Sequence, residues 1–166
     1  MRSHQPRSTD DIDRKIASLH DRDFYAWAIA QAAALQERRF SDLDIANLTD
    51  EVSGMAEQEV DRLQAKLERL THQLLLWDFR TASRSPSRAT TIRNQRRRAE
   101  RVMQRCPSLA DRREQLLRRA YTYGRFAALR EAEDLPMSAL PAQSPYSWED
   151  VMTRKLEAPD CPRQAE

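Results

Sequence analysis

The run from Ile45 to Trp77 constrains this chain more than any other feature. In it Ile45, Leu48, Val52, Met55, Glu59, Leu63, Leu67, Leu70, Leu74 and Trp77 recur at steps of three and four. At ~100° per residue these positions share an arc of roughly 120° over about nine turns, which is one side of a single helix. Only Glu59 interrupts the apolar run, with Ala56 and Val60 beside it. The spacing predicts a helix over about 44–80, ~50 Å long at a rise of ~1.5 Å per residue. A helix of that length is not stable by itself and needs partners along its side.

The rest of the chain supplies partners of the same kind. Gly54 and Gly124 are the only glycines, and both lie inside helical patterns. Tight hairpins and phosphate-cradling loops need glycine, so a hairpin-rich sheet and a Gly-rich nucleotide loop are disfavoured. The chain reads as all-α, a helical bundle. Pro86 breaks the pattern after Ser83-Arg84-Ser85, and an Arg-rich helix follows over about 88–105, with Ile92, Gln95, Ala99, Val102, Met103 and Cys106 on one face. Pro107 ends it, and Ser108 is the expected N-cap of a helix over about 109–133. There Leu109, Leu116, Ala120, Tyr123 and Ala127 form the expected stripe, and Gly124 implies a close helix crossing.

Shorter helices flank this set. Thr9 or Asp10 is placed to cap one using Ile12, Ile16 and Leu19, and Asp23 to cap another running to about Arg38. Near the other end, Ser147-Trp148-Glu149-Asp150 is close to a capping box ahead of Val151, Met152 and Leu156. The expected organisation is a loosely docked extension over 1–20, a single helical domain over 21–157, and a tail over 158–166. The aromatic residues Phe24, Tyr25, Trp27, Phe40, Trp77, Phe79, Tyr146 and Trp148 sit at helix ends and are read as core anchors.

Several classes of chemistry find little support. The cysteines, Cys106 and Cys161, form no C-x-x-C pair, so neither a structural zinc site nor a disulfide framework is expected. No metal site and no cofactor is expected. Asp42, Asp44, Asp50 and Glu51 suit capping and helix-dipole duty better than cation binding. Glu68 and His72, four apart, are read as a surface pair. Arg14 and His20 loosely match the spacing used by an all-helical ribonuclease class, but among 25 arginines such a match arises by chance. No apolar run approaches the ~18 residues of a spanning helix, and the N-terminus has no apolar signal core. The expectation is a cytoplasmic protein without membrane insertion.

Charge is unevenly spread. Between Arg80 and Arg105 there are nine arginines and one acid, a charge of +8 in a chain whose total is +2, which leaves −6 elsewhere. On the helical wheel Arg93, Arg97, Arg98, Arg101 and Arg105 lie opposite the apolar face, and Arg96 flanks it. Arginine favours forked contacts with phosphate or carboxylate. Two readings follow: the face binds nucleic acid or another polyanion, or it pairs with the acids of neighbouring helices, such as Glu57, Glu59 and Asp61. No aromatic residue interleaves the block, so single-strand stacking is not indicated.

An ordered series of short motifs carries a resemblance. Phe24-Tyr25-Ala26-Trp27, Phe40-Ser41-Asp42-Leu43-Asp44, Leu48-Thr49-Asp50-Glu51-Val52-Ser53-Gly54-Met55, Leu74-Leu75-Leu76-Trp77, Thr91-Ile92-Arg93-Asn94-Gln95-Arg96, Cys106-Pro107-Ser108-Leu109, Leu135-Pro136 and Ser144-Pro145-Tyr146-Ser147 occur in that order. Together, over roughly residues 21–157, they resemble the bacterial family catalogued as domain of unknown function 29. The resemblance implies an all-helical domain with no established activity and no catalytic residues to carry over. The family often has histidine where this chain has Gln73, with His72 one place earlier, and an aromatic residue where it has Arg88.

Three functional expectations remain. The first is a non-enzymatic helical interaction protein that self-associates as a homodimer, since Leu75, Leu76 and Phe79 widen the apolar side of the long helix. The second is polyanion binding by the Arg93–Arg105 face. The third is a helical nuclease or metal-dependent hydrolase.

Overall fold

Helices dominate because helix-forming residues fill nearly every segment and each break carries its own punctuation. The computed structural model of the protein describes residues 19–156, and no strand occurs among them. The helix expected from Thr9 or Asp10, the tail over 158–166 and Cys161 lie outside the described residues, apart from a helical stretch at 19–22. The contacts cluster into two units, one running to Glu57 and the other beginning at Gln58.

In the first unit, α1 spans Phe24–Gln36, and the Asp23 carboxylate accepts from the Ala26 amide at 3.0 Å as its N-cap. The helix stops two residues before the expected Arg38. Arg38 has turned to φ 58°, its amide donates to Leu35 O, and the Arg39 amide reaches back to Ala34 O at 2.9 Å. These are the two bonds of a Schellman ending, with arginine where glycine is usual. A short 3-10 turn, Phe40–Asp42, leads to α2, Ile45–Phe79, the helix expected over about 44–80.

Polar groups join α1 to the start of α2. The buried Trp27 donates its indole N–H to Asp44 at 3.2 Å, and the Asp44 amide donates to Gln31 Oε1 at 2.7 Å. Asp44 also accepts from the amide and the side chain of Asn47, at 3.2 and 2.6 Å, and so caps α2. Few apolar side chains are buried here beyond Trp27 and Ala34. Phe24, Tyr25 and Phe40, expected as anchors, are exposed instead. With such a small core, one carboxylate holding three partners takes the part that packing plays elsewhere.

The second unit contains the apolar core. From Val60 onward the stripe of α2 is covered: Leu63, Leu67, Leu70 and Leu74 are fully buried. Leu75 and Leu76 are fully buried as well, so that part of the widening expected to form a dimer seam serves the chain's own core, whereas Phe79, expected as a core anchor, is exposed. A 3-10 turn, Thr81–Ser83, follows, and α3 spans Pro86–Arg105, two residues earlier than expected. Proline is suited to the first turn, where its missing N–H has no partner to lose, and the Ser85 hydroxyl caps the helix through the Arg88 amide.

Two expectations about the next segment are corrected. Ser108 caps nothing: Pro107–Arg112 forms a 3-10 stretch, and α4 spans Arg113–Glu131 without a side-chain cap. Its buried side is Leu116, Leu117, Ala120, Tyr121, Gly124 and Ala128, while Tyr123 is exposed and Ala127 only half-buried. At Gly124, α4 lies directly against α2. A Cβ there would collide with Thr71 Oγ1 and come within 2.9 Å of the His72 amide nitrogen. Thr71, fully buried, donates across the crossing to Ala120 O at 3.1 Å.

The C-terminal segment then folds back on this core. Tyr121 donates to Pro141 O at 2.6 Å, and Arg125 donates to Met137 O and Leu140 O. A capping box is present at α5, Trp148–Thr153: the Ser147 hydroxyl accepts from the Asp150 amide, and the Asp150 carboxylate accepts from the Ser147 amide. Tyr146 donates to Asp78 at 2.7 Å and Arg154 donates to both oxygens of the same carboxylate. Burial, and then the hydrogen bond to Asp78, push the Tyr146 phenol well above its ordinary value, so it remains a neutral donor.

Candidate functional site

The arginines of α3 divide by their angle around the helix. Ala89, Ile92, Gln95 and Ala99 are its buried side, which sends Arg93, Arg97, Arg98, Arg101 and Arg105 outward, and all five are exposed. Their bonding differs. Arg93 donates to the Thr90 hydroxyl at 3.0 Å, and no hydrogen bond or ion pair joins Arg97, Arg98 or Arg101 to another described residue. Arg105 is the exception, paired with Glu59 of α2, and that hydrogen bond raises its pKa. Glu59, the one polar residue in the apolar stripe, thus holds both Arg62 and Arg105.

Arg96 behaves differently from its neighbours. It flanks the buried side and aims its guanidinium at the end of α5, donating to Val151 O at 2.7 Å, Arg154 O at 2.7 Å and Asp150 O at 3.3 Å. Helix-terminal carbonyls lack intrahelical partners, and a forked cation satisfies several at once. Burial, and secondarily the nearby Arg154 charge, lower the Arg96 pKa from the usual arginine value.

The acids expected near Asp42–Glu51 are spread over separate duties. Asp42 pairs with Arg39, Asp44 caps α2, and Glu51 accepts from His20 at 3.0 Å, a bond that raises the His20 pKa. Among the described residues no group of three or more His, Cys, Asp or Glu side chains is placed to hold a metal ion. Glu68 and His72 form no pair: Glu68 accepts from Gln64, and His72 Nε2 lies 2.9 Å from a Glu131 oxygen on α4, out of alignment for a good hydrogen bond. Burial lowers the His72 pKa below its ordinary value, outweighing the opposing pull of Glu131.

Gln73 and Arg88 meet in space: Arg88 donates to Gln73 at 2.7 Å and also to Glu131 at 2.8 Å. The half-buried His72 stands beside the Arg88–Glu131 ion pair.

No helix among the described residues is long and apolar enough to cross a membrane. No curated protein matches the chain, and no solved structure matches it. Residues 19–156 match the model of the family described as Domain of unknown function DUF29, and the chain belongs to that family.

Proposed function

We propose that this protein is a non-enzymatic helical interaction protein that self-associates through the apolar stripe at the start of α2. One observation carries the reading: Ile45, Val52 and Met55, on the same stripe that is buried from Val60 onward, are 61%, 62% and 64% exposed. Phe24 and Ile29 of α1 are exposed as well. A monomer rarely leaves so many large apolar side chains in water without a partner for them. A second copy supplies the complementary surface, since a two-fold arrangement sets identical apolar stripes against each other. The surroundings disfavour an anionic partner here, because residues 19–57 hold eight acids against three arginines.

Light scattering over a range of concentrations tests this. The native chain is expected to show a concentration-dependent dimer, and the double variant Val52→Asp/Met55→Asp a monomer. Thermal stability at low concentration should move by no more than about 0.5 kcal/mol, because both side chains are exposed in the single chain. A native protein that stays monomeric at every concentration rejects the proposal.

A second reading is supported by Arg97, Arg98 and Arg101, which bond no carboxylate among the described residues. With Arg93 they form an outward cationic row suited to a polyanion such as nucleic acid. Binding by counterion release weakens steeply with salt. Changing Arg93, Arg97, Arg98 and Arg101 to Glu is expected to abolish low-salt binding to DNA or RNA in a gel-shift assay; retained binding rules the row out.

A further inference from the structure

A second cationic feature lies apart from the outward row of α3. Trp77, Asp78, Arg84, Arg154 and Lys155 line a concavity of about 270 Å³, where three cations face one carboxylate. That carboxylate is already committed, because Asp78 accepts from Tyr146 and from Arg154. Both guanidinium groups are also held from behind. Arg84 is fixed through Nε, which donates to Trp77 O at 2.8 Å. Arg154 is fixed through Nη2 by Asp78, its guanidinium carbon lies 5.5 Å from the centre of the Tyr146 ring, and its own carbonyl accepts from Arg96. The Nη atoms of Arg84, the Nε and Nη1 of Arg154 and the Lys155 ammonium form no other bond among the described residues.

We infer that this concavity is a binding site for a small phosphate-bearing ligand. Donors from a fixed pair of guanidinium groups, joined by a mobile ammonium, suit a tetrahedral oxyanion with several acceptor oxygens. The two guanidinium positions are set before any ligand arrives, so little ordering of these side chains opposes binding. A volume of about 270 Å³ admits phosphate, pyrophosphate or a phosphomonoester headgroup, and its lining shares no residue with the α3 row.

The test is calorimetric titration of the full chain with inorganic phosphate and with pyrophosphate, against chloride at matched ionic strength. One saturable site is expected. Arg84→Gln and Lys155→Gln should each weaken it about tenfold, the effect of losing one charge-assisted hydrogen bond. Lys155 is exposed and bonds nothing else described, so Lys155→Gln keeps the test intact even where Arg84→Gln unfolds. The variant with Arg93, Arg97, Arg98 and Arg101 changed to Glu should bind phosphate as the native protein does. Absence of a saturable phosphate signal overturns the inference. So does undiminished binding in Lys155→Gln, or binding lost only in the four-Glu variant.

Discussion

Gly124→Val should lower the stability of the protein by about 3 kcal/mol or more, the upper range for an overpacked core position. The Cβ of any residue at 124 would meet Thr71 Oγ1, the His72 amide nitrogen at 2.9 Å and Glu68 O at 3.0 Å. Two of these are backbone atoms of α2, and the third cannot swing away. Thr71 is fully buried and its hydroxyl oxygen sits among Leu67 O, Glu68 O and Ala120 O, each 2.9–3.1 Å away, to which its single proton can be donated. Relief therefore requires α2 and α4 to separate, which pulls apart the leucines packed between them. Alanine at 124 gains ~1 kcal/mol of helix propensity and is still expected to be a net loss, because the first carbon already collides. Gly54 provides the control. It too lies inside a helix, α2, but a Cβ there meets nothing within 4 Å, so Gly54→Ala should stabilise by about 0.5–1 kcal/mol. Urea unfolding of the three variants decides the matter: a Gly124→Ala protein as stable as Gly54→Ala would remove the close crossing from the account.

Arg96→Ala is expected to have the next largest effect, a loss of about 2 kcal/mol or more. The guanidinium serves the carbonyls of Asp150, Val151 and Arg154, and without it these groups at the end of α5 are left under-bonded. A helix as short as Trp148–Thr153 does not persist without tertiary anchoring. Its release would also loosen Trp148 and Met152 from the core beneath them. Lysine at 96 should recover only part of the loss, since one ammonium cannot span carbonyls that a fork reaches together. Arg97→Ala, one residue along, should stay within about 0.5 kcal/mol of native because Arg97 is exposed and bonds no other described residue. Denaturation curves, read alongside amide exchange in α5, separate the outcomes. Equal stability of Arg96→Ala and Arg97→Ala would sink the assignment of Arg96 as the anchor.

These two variants show how far the sequence could be read. Gly124 was legible as a close approach because glycine is costly inside a helix and needs a reason to be there. The bounds of α2, the Asp23 cap and the Ser147 capping box were legible for a related reason: each is a local pattern of a few residues acting on the adjacent backbone. The buried side of α4 was not. Tyr121 and Tyr123 differ by about 200° around a helix, and both fit an apolar stripe at steps of three and four. The choice is made by Pro141, twenty positions along, whose carbonyl accepts from the Tyr121 hydroxyl. Ser108 failed as a cap because Pro107–Arg112 tightens into a 3-10 stretch, leaving the serine far from the start of α4.

The candidate site divides in the same way. Outward display of Arg93, Arg97, Arg98, Arg101 and Arg105 followed from their angles relative to Ile92 and Ala99. That Arg105 is held by Glu59, and that Arg96 caps α5, depended on elements far along the chain. The pocket around Arg84 and Lys155 left no sequence signal, because its lining comes from the end of α2, the turn before α3 and the residues after α5.

By itself the sequence determined that this protein is helical, where its long helix begins and ends, and which arginines point away from the core. Those properties come from periodicity and from caps, which act within a turn or two of backbone. Only the tertiary structure decided which part of the long apolar stripe is covered and which arginines of α3 pair with other described residues. Burial and ion pairing depend on distances between segments, and the stripe itself reads the same before Glu57 as after it.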